Sequence, residues 1–335
     1  MSDRLTVALD VRCLDQPFTS YARVIRLIRT AAKAVDLELK EWREGACGAD
    51  VLWTPDPTVP KASDDPRLLL TIQDLNPMLL DGRSAFARWR RARRYRNLID
   101  RIDQSAWRIC VPSQATATSL EEHFPALQTS MVQVPWYPSS EFHGGEHPPI
   151  QGEVPKPGYL LYVGALRQHK NWPLVLKVYA GLPKALREKH PLVMLGSGHR
   201  SGKQAYELAK QLDIADRVLW LQGLANAELP SLYASASVFL FPSLLEGFGL
   251  PPLEAQACGA PVIAAATSSL PEVLADSACL LPPDDVQAWV DATCKLLEDP
   301  QARVAAREAG LANVQRYSAQ TTGQALLRIL DQVDR

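Results

Sequence analysis

Short runs of Val, Ile and Leu, each closed by Pro, Asp or Gly, alternate along the chain with longer stretches in which apolar residues recur at the helical period. Buried parallel strands have continuous apolar runs of this kind, because helices cover both faces of such a sheet. The alternation therefore predicts an α/β fold with doubly wound parallel sheets. The predicted strands are 5–9, 51–53, 68–72, 107–111 and 131–134 in the first half, and 159–163, 192–195, 218–221, 238–241, 262–265 and 279–281 in the second.

The length of 335 residues exceeds what one hydrophobic core usually supports and favours two domains. Residues 143–158 are rich in Pro and Gly, so we interpret this stretch as a linker. We expect a Rossmann-like domain over 1–152, a second one over 153–315, and a C-terminal helix over 316–335 that is able to pack against the first domain. Open parallel sheets bind ligands at the carboxyl ends of their strands, so the expected site is a cleft that both domains face.

Charge and cysteine usage argue against several classes of protein. The 36 basic and 37 acidic residues nearly cancel, which leaves no overall field to attract nucleic acid. The six cysteines are scattered without a C-x-x-C pair, which disfavours a disulfide framework and a zinc site. No stretch approaches the roughly 20 apolar residues of a membrane span, and the first residues resemble a strand rather than a signal peptide. We expect a cytoplasmic protein.

Two glutamates flank a glycine loop in the string Glu246-Gly-Phe-Gly-Leu-Pro-Pro-Leu-Glu254. A predicted strand ends shortly before Glu246. Pro251 and Pro252 suit the first turn of a helix, because the N–H that proline lacks would have no partner there. The pattern therefore places Glu246 in a loop at the carboxyl end of a strand and Glu254 in the first helical turn, with both carboxylates directed at one crevice.

The main chain of this glycine loop suits an anion. At a helix N-terminus, the N–H groups of Phe248, Gly249 and Leu250 offer donors to a phosphate, and glycine allows a ligand to approach the backbone closely. A diphosphate fits this pattern, and Glu246 and Glu254 can accept hydrogen bonds from sugar or ribose hydroxyls. The alternative is that Glu254 interacts only with the helix dipole and that Glu246 is a solvated loop residue.

A second group of polar residues follows the first strand of the same half. That strand ends at Gly164, and a short loop then presents Arg167, His169 and Lys170. Donors of this type at the carboxyl end of a strand can offset the charge of a departing diphosphate in place of a metal. The alternative is a solvated basic loop.

Together these segments resemble the large retaining glycosyltransferase family called family 4, which has the GT-B architecture of two Rossmann-like domains. The resemblance extends through most of residues 159–300 and is fainter in the first half. Its most specific element is the string from Glu246 to Glu254. Residues 163–171 resemble the family's donor-phosphate loop, and the S-S-L-P-E-V segment within 268–282 resembles another family segment. The glutamate string is similar to that of bacterial mannosyl- and rhamnosyltransferases of polysaccharide assembly.

The resemblance implies a metal-independent enzyme that transfers a hexose, mannose-like or rhamnose-like, from a nucleotide diphosphate sugar to a glycan or lipid-linked acceptor, with retention of configuration and without a cofactor. It implies that Glu246 stabilises charge on the transferred sugar, that Lys170 binds the diphosphate and that Glu254 binds the ribose. His143 and His147 have H-x3-H spacing but lie in the predicted linker, so we predict no metal site. The other donor-binding residues implied are Arg167, His169, Phe248, Gly249, Leu250, Gly164 and Gln73.

Three positions depart from the family pattern. His169 stands where relatives have an arginine, so Arg167 is expected to supply that charge. Gln73 replaces a histidine of the first domain, and the loop 16–21 lacks the usual glycine. Two alternatives therefore stay open: a non-catalytic sugar-nucleotide-binding or scaffolding subunit of a glycan assembly complex, and a sugar-nucleotide epimerase.

Eight arginines lie within residues 82–101, interspersed with aromatic and aliphatic residues at near-helical intervals. A basic amphipathic helix over 83–101 suits an anionic lipid surface, which would make the protein peripheral at the inner face of the membrane. The alternative is a solvated basic face whose apolar stripe packs on the domain core. No nucleic-acid-binding motif accompanies the run.

Overall fold

The computed structural model describes residues 5–15, 20–55, 62, 64, 66–75, 89–90, 93–94, 96–100, 106–150, 156–196 and 199–332. The chain divides into two compact units. The first comprises residues 1–137 and 317–335, and the second comprises residues 138–316. Each unit contains a six-stranded sheet in which neighbouring strands are parallel. The α/β fold predicted from the alternation of strands and helices is therefore confirmed.

The first sheet has the strand order β2-β1-β3-β4-β5-β6, and the second has the order β12-β11-β10-β7-β8-β9. The sequence prediction missed the strand Leu39–Trp42, because Lys40 and Glu41 at its centre are exposed and interrupt the apolar run. The strands are β1 Val7–Asp10, β2 Leu39–Trp42, β3 Val51–Thr54, β4 Arg67–Thr71, β5 Ala106–Val111, β6 Met131–Gln133, β7 Tyr159–Val163, β8 Leu192–Leu195, β9 Val218–Leu221, β10 Ala236–Phe241, β11 Val262–Ala265 and β12 Cys279–Leu281.

Several helices begin at a residue whose side chain caps them. Ser113 caps the helix that follows β5, and its hydroxyl accepts from the N–H of Thr116 at 3.1 Å. The helices are α1 Ser20–Ala34, α2 Gln114–His123, α3 Trp172–Gly181, α4 Lys184–Lys189, α5 His199–Gln211, α6 Leu229–Ala234, α7 Leu250–Ala257, α8 Leu270–Leu274, α9 Val286–Glu298, α10 Pro300–Val314 and α11 Ala319–Leu330.

The division between the units falls after Tyr137, whereas the sequence suggested a boundary near residue 152. The hydroxyl of Ser231 donates to the carbonyl of Pro148. Gly144 also lies near Leu311 of the second unit, since an added Cβ would be 3.4 Å from that side chain, which is ordinary van der Waals contact. The stretch rich in Pro and Gly therefore covers the second unit as far as its described residues extend, because its groups find partners there.

The C-terminal helix α11 belongs to the first unit. Leu326 and Ile329 on α11 are fully buried, and the hydroxyl of Thr322 donates to the carbonyl of Pro135 at 2.6 Å. Gly323 lies against α1, where an added Cβ would be 2.4 Å from the carbonyl oxygen of Ala31. The close approach of these two helices therefore depends on a residue without a side chain.

Two sequence predictions fall largely outside the described residues. Within the arginine-rich segment 83–101, only residues 89–90, 93–94 and 96–100 are described; Ile99 is 1% exposed and Trp89 is 55% exposed. In the loop 16–21, residues 16–19 are not described. Among the residues that are, no helix is long and apolar enough to cross a membrane.

We expect Gly323→Ala to destabilise the first unit by about 1–3 kcal/mol, because the new methyl group would force α11 away from α1. Gly202→Ala is the matched control. Gly202 also lies within a helix but has no atom within 4 Å of an added Cβ, so alanine there should raise the stability by up to about 1 kcal/mol. Thermal unfolding monitored by circular dichroism measures both, and equal shifts in the two variants would contradict the packing argument.

Candidate active site

Three neighbouring strands of the second sheet, β7, β10 and β11, end at the same edge. The loop after β7 contains Lys170, and the loop after β10 contains Glu246. Because carboxyl ends of parallel strands meet at one edge, residues that are 76 positions apart in sequence become neighbours. The structure therefore brings together the two residues that the sequence assigned to catalysis.

Lys170 and Glu246 form an ion pair in which Lys170 Nζ lies 2.5 Å from Glu246 Oε1. Both side chains are mostly shielded from water, with exposed fractions of 18% for Lys170 and 10% for Glu246. The ammonium also lies 5.6 Å from the centre of the Phe241 ring, within the range of a cation–π contact. Glu246 is therefore not the solvated loop residue of the alternative interpretation, because its charge is balanced in a partly buried setting.

Main-chain hydrogen bonds join the loops that contain this pair. The N–H of Leu244 donates to the carbonyl of His169 at 2.7 Å, and the hydroxyl of Ser243 donates to the same carbonyl at 3.2 Å. Asn171, which follows Lys170, has a left-handed backbone with φ of 48° and donates from its side chain to the carbonyl of Pro283 at 3.0 Å. The position of Lys170 is therefore fixed by contacts on both sides of it.

A third loop, after β11, also contacts Glu246, and the sequence analysis gave it no role. The N–H of Glu246 donates to the hydroxyl of Ser268 at 2.9 Å, and the hydroxyl of Ser269 donates to the carbonyl of Glu246 at 3.1 Å. The available sequence signals were the S-S-L-P-E-V segment and a run of hydroxyl residues that begins two positions after the predicted strand 262–265. Only the strand order, which places β11 beside β10, shows why that run matters.

The glycine loop leads into α7 as predicted, with prolines in the first turn. Gly249 caps the helix at φ of 95°, and an added Cβ would lie 2.7 Å from the Leu270 side chain, so only glycine fits there. Phe248 is buried at 5% exposure. Because Pro251 and Pro252 have no N–H, the donors of the helix start are reduced to the amides that remain, including those of Gly249 and Leu250.

Glu254 lies in the second turn of α7 and not in the first, because the helix begins at Leu250. Its side chain is almost completely enclosed, with 1% of the residue exposed. That Glu254 and Glu246 face the same crevice stays a prediction. Removing a carboxylate from water to this depth is costly unless polar groups compensate for the lost hydration.

The remaining loop residues differ in burial. Gly164 closes β7, and its N–H donates to the carbonyl of Leu195 at 3.0 Å. An added Cβ at Gly164 would lie 3.1 Å from the hydroxyl of Tyr162, whose pKa is raised by burial and by the charge of Glu246. Arg167 is exposed, and its guanidinium makes no hydrogen bond to another described residue. Arg167 is therefore available to a ligand.

His169 is neutral at physiological pH. Burial lowers its pKa to about 4, and the neighbouring charges of Lys170 and Arg167 act in the same direction, while Glu246 opposes them. His169 therefore cannot act as a second cation beside Lys170. The sequence analysis assigned the missing positive charge to Arg167, and a neutral His169 agrees with that assignment.

Gln73 belongs to the first unit and follows β4. The indole N–H of Trp136 donates to Gln73 Oε1 at 2.8 Å. Because an indole nitrogen only donates, the atom that faces it must be the carboxamide oxygen. Gln73 Nε2 is buried, and none of the described residues accepts a hydrogen bond from it. The side chain of Gln73 therefore presents only a donor.

No three His, Cys, Asp or Glu side chains in the described part of the chain lie close enough to hold a metal ion. His143 and His147 do approach one another, with ring centres 4.5 Å apart, and His147 Nε2 donates to the carbonyl of His143 at 2.8 Å. Their contact is a local turn in the segment that covers the second unit.

Comparison with known proteins gives the family. The family described as "Glycosyl transferases group 1" matches residues 145–312, which is half of the chain and includes Lys170, Glu246 and Glu254. The chain belongs to this family. In Escherichia coli, the O-antigen chain mannosyltransferase B is 38% identical over 164 residues, which are 48% of this chain and 42% of that protein.

A further relative is the D-inositol 3-phosphate glycosyltransferase of Corynebacterium urealyticum, which is 35% identical over 175 residues, 50% of this chain and 41% of that protein. The matched segments thus span about two-fifths of the length of these relatives. Among solved structures, sucrose-phosphate synthase from Thermosynechococcus elongatus has a TM-score of 0.75 at 18% identity and covers 98% of this chain and 99% of its own. WaaG, a glycosyltransferase involved in lipopolysaccharide biosynthesis, has a TM-score of 0.75 at 17% identity and covers 97% and 99%. These structures share the GT-B fold.

The low pKa of His169 predicts how stability changes with pH. The unfolded chain binds a proton at this residue near pH 6.5, whereas the folded protein does so only near pH 4. The contribution of neutral His169 is therefore complete above pH 6.5 and is lost as the pH falls toward 4. Between pH 7 and pH 5, the unfolding free energy of the parent should fall by about 2 kcal/mol more than that of His169→Gln.

Urea unfolding at the two pH values measures this difference. His123→Gln, at an exposed histidine on α2, is the matched control and should follow the parent. A His169→Gln variant that loses as much stability as the parent over this interval would show that folding does not lower the pKa of His169.

Proposed function

We propose that this member of the group 1 glycosyltransferases is a metal-independent enzyme that transfers a hexose from a nucleotide diphosphate sugar to a glycan or lipid-linked acceptor and retains the anomeric configuration. The observation that supports it most is the ion pair between Lys170 and Glu246, held in a partly buried setting. A mannose-like or rhamnose-like sugar is favoured, since a similar protein of Escherichia coli is named an O-antigen chain mannosyltransferase.

In this proposal Lys170 binds the diphosphate. The loop after β7 holds Lys170, and the side chain is only 18% exposed. A bound anion would therefore interact with the ammonium in a medium less polar than water. Charge on the leaving diphosphate grows as the sugar departs, and a fixed cation stabilises that change without reorganisation. Arg167, which is exposed, would add a second positive charge. Neutral His169 would contribute hydrogen bonds only.

Glu246 would bind hydroxyls of the transferred sugar and stabilise its oxocarbenium-like charge. One oxygen of its carboxylate, Oε1, accepts a hydrogen bond from the Lys170 ammonium. A diphosphate that draws the ammonium toward itself would leave the carboxylate free to face the sugar, so one pair of charges would serve both ends of the bond that breaks. In the transfer, the bond from the anomeric carbon to the phosphate oxygen breaks, the acceptor oxygen attacks from the same face, and its proton passes to the departing phosphate.

The rest of the donor seat would be formed around α7. The amides of Phe248, Gly249 and Leu250 lie at its N-terminus, where the helix dipole favours an anion. Glu254 would accept hydrogen bonds from ribose hydroxyls, and Gly164 would let the donor approach the end of β7. No cofactor beyond the sugar nucleotide is part of this proposal.

Contact of residues 83–101 with anionic lipid is a further part of the proposal. The eight arginines of this segment support it, and sedimentation with vesicles tests it.

A second candidate is a non-catalytic sugar-nucleotide-binding or scaffolding subunit, and Gln73 is the observation that favours it. The carboxamide presents only a donor and cannot gain a charge, so it lacks the chemistry of the histidine it replaces. A sugar-nucleotide epimerase is a third candidate on the same architecture. Donor turnover with and without acceptors separates them: transfer supports the enzyme, binding without turnover supports the subunit, and conversion of the free donor to its epimer supports the epimerase.

We expect Glu246→Gln and Lys170→Ala each to lower kcat about a hundredfold, which corresponds to about 3 kcal/mol of transition-state stabilisation. Because the two side chains act as one pair, the double variant should be little slower than either single variant. Lys184→Ala is the control, at a lysine of the same unit that is 83% exposed, and should retain the parental rate. Single variants that turn over donor as fast as the parent would remove both residues from the mechanism.

A thermal-shift panel of UDP, GDP, dTDP and ADP sugars tests the donor seat. The sugar nucleotide with the base that the site prefers should raise the unfolding free energy by about 2.7 kcal/mol when its concentration is a hundred times its dissociation constant. Glu254→Gln should lose most of that stabilisation, because a ribose contact contributes to ground-state binding. Glu207→Gln, at a glutamate on α5 that is half exposed, is the control. An unchanged shift in Glu254→Gln would remove Glu254 from the nucleotide site.

A further inference from the structure

Three consecutive hydroxyl residues after β11 bond the main chain of the loop that holds Glu246. The hydroxyl of Thr267 donates to the carbonyl of Ser243 at 2.8 Å. Ser268 accepts from the N–H of Glu246 at 2.9 Å, and Ser269 donates to the carbonyl of Glu246 at 3.1 Å. Both main-chain polar groups of residue 246 are therefore bound by side chains from another strand end.

The backbone of Ser268 is unusual for a residue with a side chain. Its φ of 47° lies in the left-handed region, where glycine is the residue without steric cost. Glycine in this turn would adopt the same backbone more easily but would lack the hydroxyl that Glu246 contacts. The structure thus combines an unfavourable backbone conformation with a hydrogen bond to the candidate catalytic loop, which is typical of strain retained at functional sites.

The side chain of Ser269 does not cap the helix that follows it. It stands at the N-cap of α8, where a serine hydroxyl normally accepts from the amides of the first helical turn. Ser269 makes no such cap hydrogen bond, and its hydroxyl donates to the carbonyl of Glu246 instead. The residue is completely buried, so this bond is shielded from competing water.

We propose that Thr267, Ser268 and Ser269 are positioning residues, which hold the main chain of residues 243–246 so that the carboxylate of Glu246 meets Lys170. The proposal deepens the proposed function and rests on it for its catalytic consequence. A carboxylate needs to be held within about half an ångström of its productive position, and side-chain hydroxyls that bind both main-chain groups of one residue supply that constraint. They act through Glu246 and need not touch the substrate.

Substitution of Ser268 separates this role from a merely structural one. Ser268→Gly removes the hydroxyl and also the steric cost of the left-handed backbone, whereas Ser268→Ala removes the hydroxyl and keeps that cost. We expect Ser268→Gly to unfold at a temperature equal to or above that of Ser268→Ala, and both variants to have kcat lowered about tenfold with KM for the sugar nucleotide changed by less than about threefold. Ser269→Ala should behave like Ser268→Ala.

Hydrogen exchange provides a readout that needs no substrate. The amide of Glu246 donates to Ser268, so peptides covering residues 243–249 should exchange about ten times faster in both Ser268 variants than in the parent. Thr293→Val is the matched control, because Thr293 is a completely buried hydroxyl of the same unit that bonds only within α9. This variant should leave both the exchange of residues 243–249 and kcat unchanged.

Hydrogen exchange and enzyme kinetics test different parts of the proposal. Unchanged exchange in Ser268→Gly and Ser268→Ala overturns the positioning role, whatever the activity of the protein. Parental kcat in variants whose loop exchanges faster overturns the catalytic consequence. A change in KM without a change in kcat assigns the hydroxyls to direct substrate binding and also overturns the proposal. Absence of transfer by the parent with every sugar nucleotide overturns the proposed function, and the exchange result then decides the positioning role alone.

Discussion

The ion pair between Lys170 and Glu246 is the interaction on which the site depends. Either charge alone, shielded from water to this extent, would be costly, so each residue balances the charge of the other. The pair adds to the effect of burial on its neighbours. Burial is the main cause of the low pKa of His169, to which Lys170 contributes and which Glu246 opposes. Burial is also the main cause of the raised pKa of Tyr162, to which Glu246 contributes.

Strand order converts distant sequence segments into one site. β11, β10 and β7 are adjacent in the second sheet, and the loop after each one contributes to the surroundings of Glu246. The hydroxyl of Ser243 and the N–H of Leu244 both donate to the carbonyl of His169 and so join two of these loops, and the hydroxyls after β11 join the third. Parallel pairing is what makes this possible, because it places three strand ends side by side.

The fold was predictable where the physical signal is local. Alternation of apolar runs with helical periods predicted the two parallel sheets, and the glutamate string predicted a loop followed by a helix with prolines in its first turn. Edge strand β2 was not predicted, because the exposed residues Lys40 and Glu41 interrupt its apolar pattern. The start of α7 was misplaced relative to Glu254 because proline is compatible with more than one position of the first turn.

Other features of the site depend on three-dimensional surroundings that no local pattern contains. The neutral state of His169 follows from burial and from nearby cations. The donor polarity of Gln73 follows from Trp136, which lies 63 residues further along the chain. The role of Ser268 and Ser269 follows from the position of β11 beside β10. Sequence reasoning named these segments in part, but their chemistry is decided by contacts between them.

The return of the chain to the first unit at residue 317 affects the order in which the protein is completed during synthesis. All of the second unit precedes α11, so that unit possesses every one of its residues while the first still lacks the helix that packs on α1. Until residues 319–330 have been synthesised, the part of α1 against which Gly323 packs has no covering helix. During synthesis the second unit is therefore complete before the first, because the first unit still lacks α11.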